Sequence, residues 1–310
     1  MTKVAVIGSN MVDLIAYTNR MPKEGETLEA PSFQMGCGGK GANQAVACAK
    51  LGTEVIMVSK VGDDLFADNT ITNFEQHGID TAFVSKISGV SSGVAPIFVN
   101  PSSQNSILII KGANEYLKPD DIDKASVKLK DADLIVLQLE IPLDTVYHAI
   151  EFANKHDIQV LLNPAPAVPG LDIEYACRCD YFVPNETELE ILVNKPVNTI
   201  DEIREAAKVL LDKGLQNVIV TMGARGSLWL SKTGDERLIE PVPVKAIDTS
   251  GAGDAFIGCF SHFLVQTGNT EKALKYASAY AAISVTGKGT QSSYPNVAEF
   301  NEFAATYVTN

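Results

Sequence analysis

Three short segments hold residues whose types and spacing suit chemistry on an anion. The first is Asp248-Thr-Ser-Gly-Ala-Gly-Asp254. Gly251, Ala252 and Gly253 stand where a helix would open, so several backbone N–H groups lack an intrahelical partner and point, with the positive end of the helix dipole, at whatever sits there. Such amides hold negative charge. Asp254, in the first turn, would take a proton from a hydroxyl while the amides hold the group being attacked. A carboxylate in a first turn also serves as a helix cap, and spacing alone leaves both roles open.

The second segment is Gly36-Cys-Gly38-Gly39-Lys40-Gly41-Ala42-Asn43-Gln44. Gly36, Gly38 and Gly41 satisfy G-x-G-x-x-G, but the cluster does not follow the first strand, so the dinucleotide reading is weak. Lys40 is followed by Gly41 rather than Ser or Thr, which excludes a Walker A loop. What remains is a flexible loop that brings Lys40 and Asn43 to a polar ligand before a helix at Ala45 to Leu51. The third segment is Val183-Pro184-Asn185-Glu186-Thr187-Glu188, at a strand end and a helix start. Asn185 and Glu188 can form a capping box. An amide and a carboxylate at this spacing can equally hold the water shell of a Mg²⁺ that bridges phosphates.

These segments need a scaffold, and the apolar pattern supplies one. Short runs at Val4 to Ile7, Val55 to Val58, Leu134 to Leu137, Val160 to Leu162, Tyr181 to Val183 and Val218 to Thr221 read as buried strands. Stretches of helical period separate several of them, as at Asp201 to Lys213, where Ile203, Ala206, Ala207, Leu210 and Leu211 share one face. The pattern predicts an α/β fold with a mainly parallel sheet flanked by helices. From about 16 to 35 and from 93 to 110 the chain instead alternates polar and apolar residues around turns at Pro22-Lys23-Glu24-Gly25 and Asn100-Pro101-Ser102-Ser103. These are expected to be antiparallel strands of a small β-sheet lid, or else an extension of the main sheet. Helices are expected at Gly251 to Gln266 and Thr270 to Val285, whose small residues permit close packing. No repeat or linker divides the chain, so 1–310 is read as a single domain.

The 310 residues carry a net charge of -13, a sign that repels phosphate backbones and anionic lipid, so neither a nucleic-acid nor a membrane partner is expected. With 45% apolar and 20% charged residues the composition is globular. Cys37, Cys48, Cys177, Cys179 and Cys259 form no disulfide framework and contain no C-x-x-C, which favours reduced thiols in the cytoplasm. Neither a signal peptide nor a long apolar span is legible. His77, His148, His156 and His262 lack ligand spacing and are expected at the surface or at helix ends.

Together the three segments resemble the ribokinase-like sugar kinases over essentially the whole length, in family order and spacing. That resemblance implies a ribokinase-like sheet whose lid often clasps a second copy as a homodimer, and transfer of the γ-phosphoryl of ATP to a sugar hydroxyl. By the same resemblance Asp254 is the catalytic base and Gly251, Ala252 and Gly253 the anion hole. Met11, Asp13, Gly39, Lys40, Asn43 and Glu140 face the sugar, with Lys40 also near the transferring phosphoryl. Asn185, Thr221, Gly223, Gly226 and Gly253 contact ATP, and Glu188 contacts Mg²⁺ through water. Asp248, Ser250, Ser284, Gly287, Gly289 and Ser293 match positions that hold a monovalent cation, K⁺.

One departure bears on the substrate. Ribokinases carry Gly-Ser-x-Asn-x-Asp after the first strand, whereas this chain has Gly8-Ser9-Asn10-Met11-Val12-Asp13. A thioether donates no hydrogen bond and accepts poorly, so a sugar 2-hydroxyl buried against Met11 would lose about 1–3 kcal/mol. This points to 2-deoxy-D-ribose, as in the deoxyribokinases that the Gly36-Cys-Gly-Gly segment also resembles. Ribose remains the alternative, with Asn10 turning in to do the amide's work. Outside the class stand an NAD-dependent oxidoreductase, which leaves Asp248 to Asp254 unexplained, and a non-catalytic sugar-binding protein, against which Asp254 and Glu188 both argue.

Overall fold

The computed structural model describes residues 2–100 and 105–308. Its strands are β1 (Lys3–Ile7), β2 (Met11–Tyr17), β3 (Ser32–Gly38), β4 (Glu54–Val61), β5 (Asp80–Lys86), β6 (Val94–Val99), β7 (Asn105–Ile107), β8 (Leu134–Leu137), β9 (Gln159–Leu162), β10 (Tyr181–Phe182), β11 (Asn217–Thr221), β12 (Ser227–Ser231) and β13 (Glu236–Ile239). Its helices are α1 (Lys40–Lys50), α2 (Leu65–Gln76), α3 (Pro119–Leu129), α4 (Leu143–Lys155), α5 (Ile173–Ala176), α6 (Glu186–Val193), α7 (Ile200–Asp212), α8 (Ala252–Thr267), α9 (Thr270–Ser284) and α10 (Val297–Tyr307).

The main sheet runs β13-β12-β11-β10-β9-β8-β1-β4-β5. Pairing is parallel from β11 through to β5, and only β12 runs against the other strands, pairing antiparallel with both β11 and β13. Alternation along the strands sends side chains to opposite faces. Ala5 and Ile7 share one core with Ile122, Val146 and Ile203 on one side of the sheet, while Val4 and Val6 share another with Ala45, Phe256 and Tyr280. Both faces are therefore covered by helices, as the apolar runs require.

The lid is a separate sheet of order β3-β2-β6-β7, so it does not extend the main sheet. It begins at Met11 rather than near residue 16, and its central pair, β2 with β6, is parallel instead of antiparallel. Both strands leave the main sheet at the same end, where Val12 N–H donates to Gly93 O at 2.9 Å. They therefore run outward side by side, and β3 and β7 return antiparallel to them. Of the second expected lid turn, Pro101, Ser102 and Ser103 lie outside the described residues.

The stretch from Lys40 to Gln44 forms the first turn and a half of α1, not a flexible loop before residue 45. Gly41 lowers its local helix propensity, but tertiary acceptors overrule this. Ala42 N–H donates to Ser9 O at 2.8 Å and Lys40 N–H to Glu140 Oε2 at 2.9 Å.

Candidate active site

The carboxyl edge of a parallel sheet gathers loops from many strands at one place, and here it gathers polar residues that follow apolar strands. Ser9 follows β1, Gln138 and Glu140 follow β8, Asn163 follows β9, and Asn185 follows β10. Asn185 also bridges to Thr221 at the end of β11. Helices α1 and α8 aim their N-termini at this row.

Asp254 is buried in the first turn of α8, and its carboxylate points across the molecule instead of capping its own helix, which has no side-chain cap. Asn43 Nδ2 donates to Oδ2 and Gln44 Nε2 to Oδ1, each at 2.9 Å. Gly251, the N-cap, has φ +72, and a Cβ there would lie 2.2 Å from Thr290 Cγ2. Only glycine meets both demands. Its carbonyl accepts from the buried Tyr294 hydroxyl at 2.9 Å. Ala252 N–H turns back to Thr249 O at 3.3 Å, and the space beside Gly253 is open.

Lys40 faces three carboxylates. Burial pulls its pKa down, but Asp254, Glu140 and Glu188 together raise it above the ordinary lysine value, so it stays charged. Glu140 is buried and accepts from Ser9 Oγ at 2.5 Å as well as from Lys40 N–H. Asp13, on β2, sits over Gly38, where a Cβ would lie 2.5 Å from the carboxylate. Burial, then the charges of Glu140 and Asp254, push the Asp13 carboxyl up to about 7. Gly39 has φ +88 and lies against the main chain of Asn10 and Met11, closing the same pocket.

Met11 is buried and opposite Gly38 in the β2–β3 register. The neighbouring Asn10 commits only its side-chain N–H groups, and its Oδ1 is buried without a hydrogen-bond partner among the described residues. Its amide donates to Ser59 Oγ at 2.8 Å and to Lys60 O at 2.7 Å, while Asn114 holds its main-chain N–H and C=O.

Asn185 and Glu188 form a reciprocal capping box, each main-chain N–H donating to the other's side chain at 2.8 Å. Burial raises the Glu188 carboxyl, with Asp254 adding to the effect and Asn185 N–H and Lys40 opposing it. The structural role is thus occupied, and the same carboxylate still faces Lys40 and Asp254. Thr221 to Gly226 curls after β11 through a short 3₁₀ turn closed by Met222 N–H to Gly226 O at 2.8 Å.

The six residues expected around a monovalent cation are brought together beside α8. Asp248 accepts from Ser250 N–H and Gly289 N–H, each at 2.9 Å. Burial works against its charge, yet these hydrogen bonds and Lys288 hold its carboxyl below the usual range. Gly287 N–H reaches Ser284 O at 3.4 Å, and a Cβ on Gly287 would lie 2.9 Å from Ser293 Cβ. The Ser284 and Ser293 hydroxyls donate to carbonyls of their own segments.

Sequence reasoning passed over Ser9, Gln44, Gln138, Asn163 and Gln291, all buried around the same point. Gln291 Nε2 holds Asn43 Oδ1 at 2.9 Å, on the far side from Asp254. A usable signal existed, because Gln138 and Asn163 are the first polar residues after apolar strands. Gly36 and Gly38 lie in β3 of the lid, which removes the dinucleotide reading. His262 is not at the surface or a helix end but buried, within 2.6 Å of Thr53 Oγ1, and burial lowers its pKa to about 4.

Comparison with known proteins agrees with this geometry. The family described as pfkB family carbohydrate kinase matches residues 1–297. A deoxyribokinase from Salmonella typhi is 66% identical over 301 residues, covering 97% of this chain and 98% of its own. A ribokinase from Mus musculus is 40% identical, covering 94% of this chain and 91% of its own. The structure of Arabidopsis thaliana ribokinase complexed with ribose and ATP superposes with a TM-score of 0.91 at 29% identity, covering 98% of this chain and 99% of that one.

Proposed function

The chain belongs to the pfkB family of carbohydrate kinases, and from that premise we propose that it transfers the γ-phosphoryl of ATP to the 5-hydroxyl of 2-deoxy-D-ribose, giving 2-deoxy-D-ribose 5-phosphate. The observation that carries the sugar is Met11. It is buried where a hydrogen-bonding amide would serve a 2-hydroxyl, and the donor end of the adjacent Asn10 amide is committed to Ser59 and Lys60. Ribose, the alternative, would bring its 2-hydroxyl against a thioether. The 66% identity to a deoxyribokinase, against 40% to a ribokinase, supports the same choice.

In this reading Asp13, Gly39, Lys40, Asn43 and Glu140 hold the sugar, and Asp254 takes the proton of the attacking hydroxyl. The amides of Gly251 and Gly253 and the Lys40 ammonium offset charge on the phosphoryl group in flight, whereas the Ala252 N–H expected in the same anion hole is turned to Thr249 O. Asn185, Thr221, Gly223, Gly226 and Gly253 receive ATP. Glu188, whose buried carboxylate lies within the field of Lys40 and Asp254, could reach through water a Mg²⁺ carried by the nucleotide, which would neutralise phosphate charge when bound. The oxygen-rich loops around Asp248, Ser250, Ser284, Gly287, Gly289 and Ser293 fit K⁺, a fixed charge beside the anion hole.

A homodimer through the lid belongs to the same proposal. Cross-strand partners share a face, so Phe33, Ala16 and Phe98 line up on the side of the lid opposite Asp13. Phe33 is 62% exposed and Leu108 61%. A second copy would cover this apolar face. We place the enzyme in the cytoplasm, in keeping with five free cysteines and with the lack, among the described residues, of any helix long and apolar enough to cross a membrane.

The test is a coupled assay of ADP release over a pentose panel, with Asp254→Asn alongside. Turnover is expected to be fastest with deoxyribose and to fall by about 10³-fold or more in the variant. Equal kcat/KM for ribose and deoxyribose would overturn the substrate, and an active variant would overturn the base.

A further inference from the structure

The polar network behind Asp254 has a direction. Gln44 is buried, and its Nε2 donates to Asp254 Oδ1 at 2.9 Å and to Asn163 Oδ1 at 3.1 Å. Its Oε1 accepts from Gln138 Nε2 at 2.7 Å. A carboxamide has two N–H hydrogens, and here each has its own acceptor. Asn163 is itself oriented, because its Nδ2 donates to Val183 O at 2.9 Å. A flipped Gln44 would set its oxygen against two acceptors and its nitrogen against a donor, so the arrangement permits one orientation only.

Gln138 strengthens this reading. Its Oε1 is buried without a hydrogen-bond partner among the described residues, beside Gly8, where a Cβ would lie 2.1 Å away. A buried acceptor left unpaired is destabilising. An apolar side chain of the same shape would avoid that cost but could not donate to Gln44. The fold therefore retains this amide for its N–H end.

We infer that Gln44, oriented by Gln138 and Asn163, is a positioning residue for phosphoryl transfer: it holds the second oxygen of the Asp254 carboxylate without touching the substrate. The inference rests on the reading of Asp254 as the base. Carboxylate torsions are broad and roughly two-fold when unrestrained. A donor on each oxygen fixes the plane, so the lone pair meant for the hydroxyl proton keeps its aim. Lys40 from α1, Asp13 from β2, Glu140 after β8, Glu188 from α6 and the Tyr294 hydroxyl surround the same carboxylate or its charged neighbours. All remain when Gln44 alone is changed.

The experiment compares wild type, Gln44→Met, Gln138→Met, the double variant and Asp254→Asn in full-length enzyme with ATP, Mg²⁺ and deoxyribose across pH. Gln44→Met is expected to lower kcat by about 10- to 100-fold with sugar KM within about threefold, the signature of an interaction that counts in the transition state. The acid limb of its kcat profile should move up by about half a pH unit or more, because a donor to the carboxylate is gone. Gln138→Met should shift both in the same direction by less, and the double variant should be no worse than Gln44→Met. An unmoved acid limb, or a kcat within about threefold of wild type, would overturn the inference. If Gln44→Met does not fold, the limb and kcat of Gln138→Met decide in the same way. Undiminished turnover in Asp254→Asn would instead bring down the assignment of the base, and it is read separately.

Discussion

Asn43 donates its side-chain amide to Oδ2 of Asp254 at 2.9 Å although 211 residues separate them. Two signature segments from opposite ends of the chain therefore meet at one carboxylate. Asn43→Ala removes that donor and leaves Gln291 Nε2 facing an empty acceptor position. The loss of a hydrogen bond to a charged group, about 1.5–3 kcal/mol, corresponds to a fall of about 10- to 100-fold in kcat/KM. Steady-state kinetics with deoxyribose check it, and a variant within about threefold of wild type would contradict the role.

The Met11 argument predicts a change of preference more than a change of rate. Met11→Asn supplies the amide that a 2-hydroxyl lacks, and should shift the ribose-to-deoxyribose ratio of kcat/KM toward ribose by about 5- to 100-fold. Side-by-side assays of the two sugars measure it. An unchanged ratio would remove Met11 as the specificity determinant.

Asp13 carries a pH signature in stability. Its carboxyl is pushed up to about 7 in the fold, whereas in the unfolded chain it titrates near 4. Between these values the folded form holds the proton and the unfolded form does not, so this group's contribution to stability falls as pH rises through the window. Urea unfolding of the sugar-free protein at about pH 5 and about pH 8 should show wild type losing stability relative to Asp13→Asn. A gain on going to high pH would refute the assignment.

Asp248 ties Ser250 to Gly289 through its two oxygens. Asp248→Ala should abolish any stimulation of kcat by K⁺ over a large organic cation at equal ionic strength, while the mutant's residual rate becomes indifferent to the cation. Persistent stimulation in the variant would place the ion elsewhere.

The outer lid face predicts assembly. Phe33→Asp puts a charge on the exposed β3 end of an apolar strip, and sedimentation should show a monomer where wild type is a dimer. A wild-type monomer would dispose of the lid interface, as would a dimer that tolerates the charge.

Much of this protein was legible in its linear order because the relevant forces are local. Apolar runs of β-branched residues predicted six strands of the main sheet, the period of Asp201 to Lys213 predicted α7, and Gly251 to Gly253 marked the start of α8. Where local preference and long-range partners disagreed, the fold departed from expectation. Lys40 to Gln44 became helix because Ser9 and Glu140 accept its first amides, and β2 lies parallel to β6 because both leave the main sheet at one end.

The residue types that do chemistry, and the order in which they occur, belong to the sequence alone, since motif spacing and helix-start chemistry need only neighbouring residues. Which way each amide points belongs to the tertiary structure. Asn10 Nδ2 turns to Ser59, and Gln44 joins Gln138, Asn163 and Asp254 across separations of 94, 119 and 210 residues. A carboxamide can donate or accept with equal ease, so its orientation is decided only when packing brings distant partners within hydrogen-bond reach.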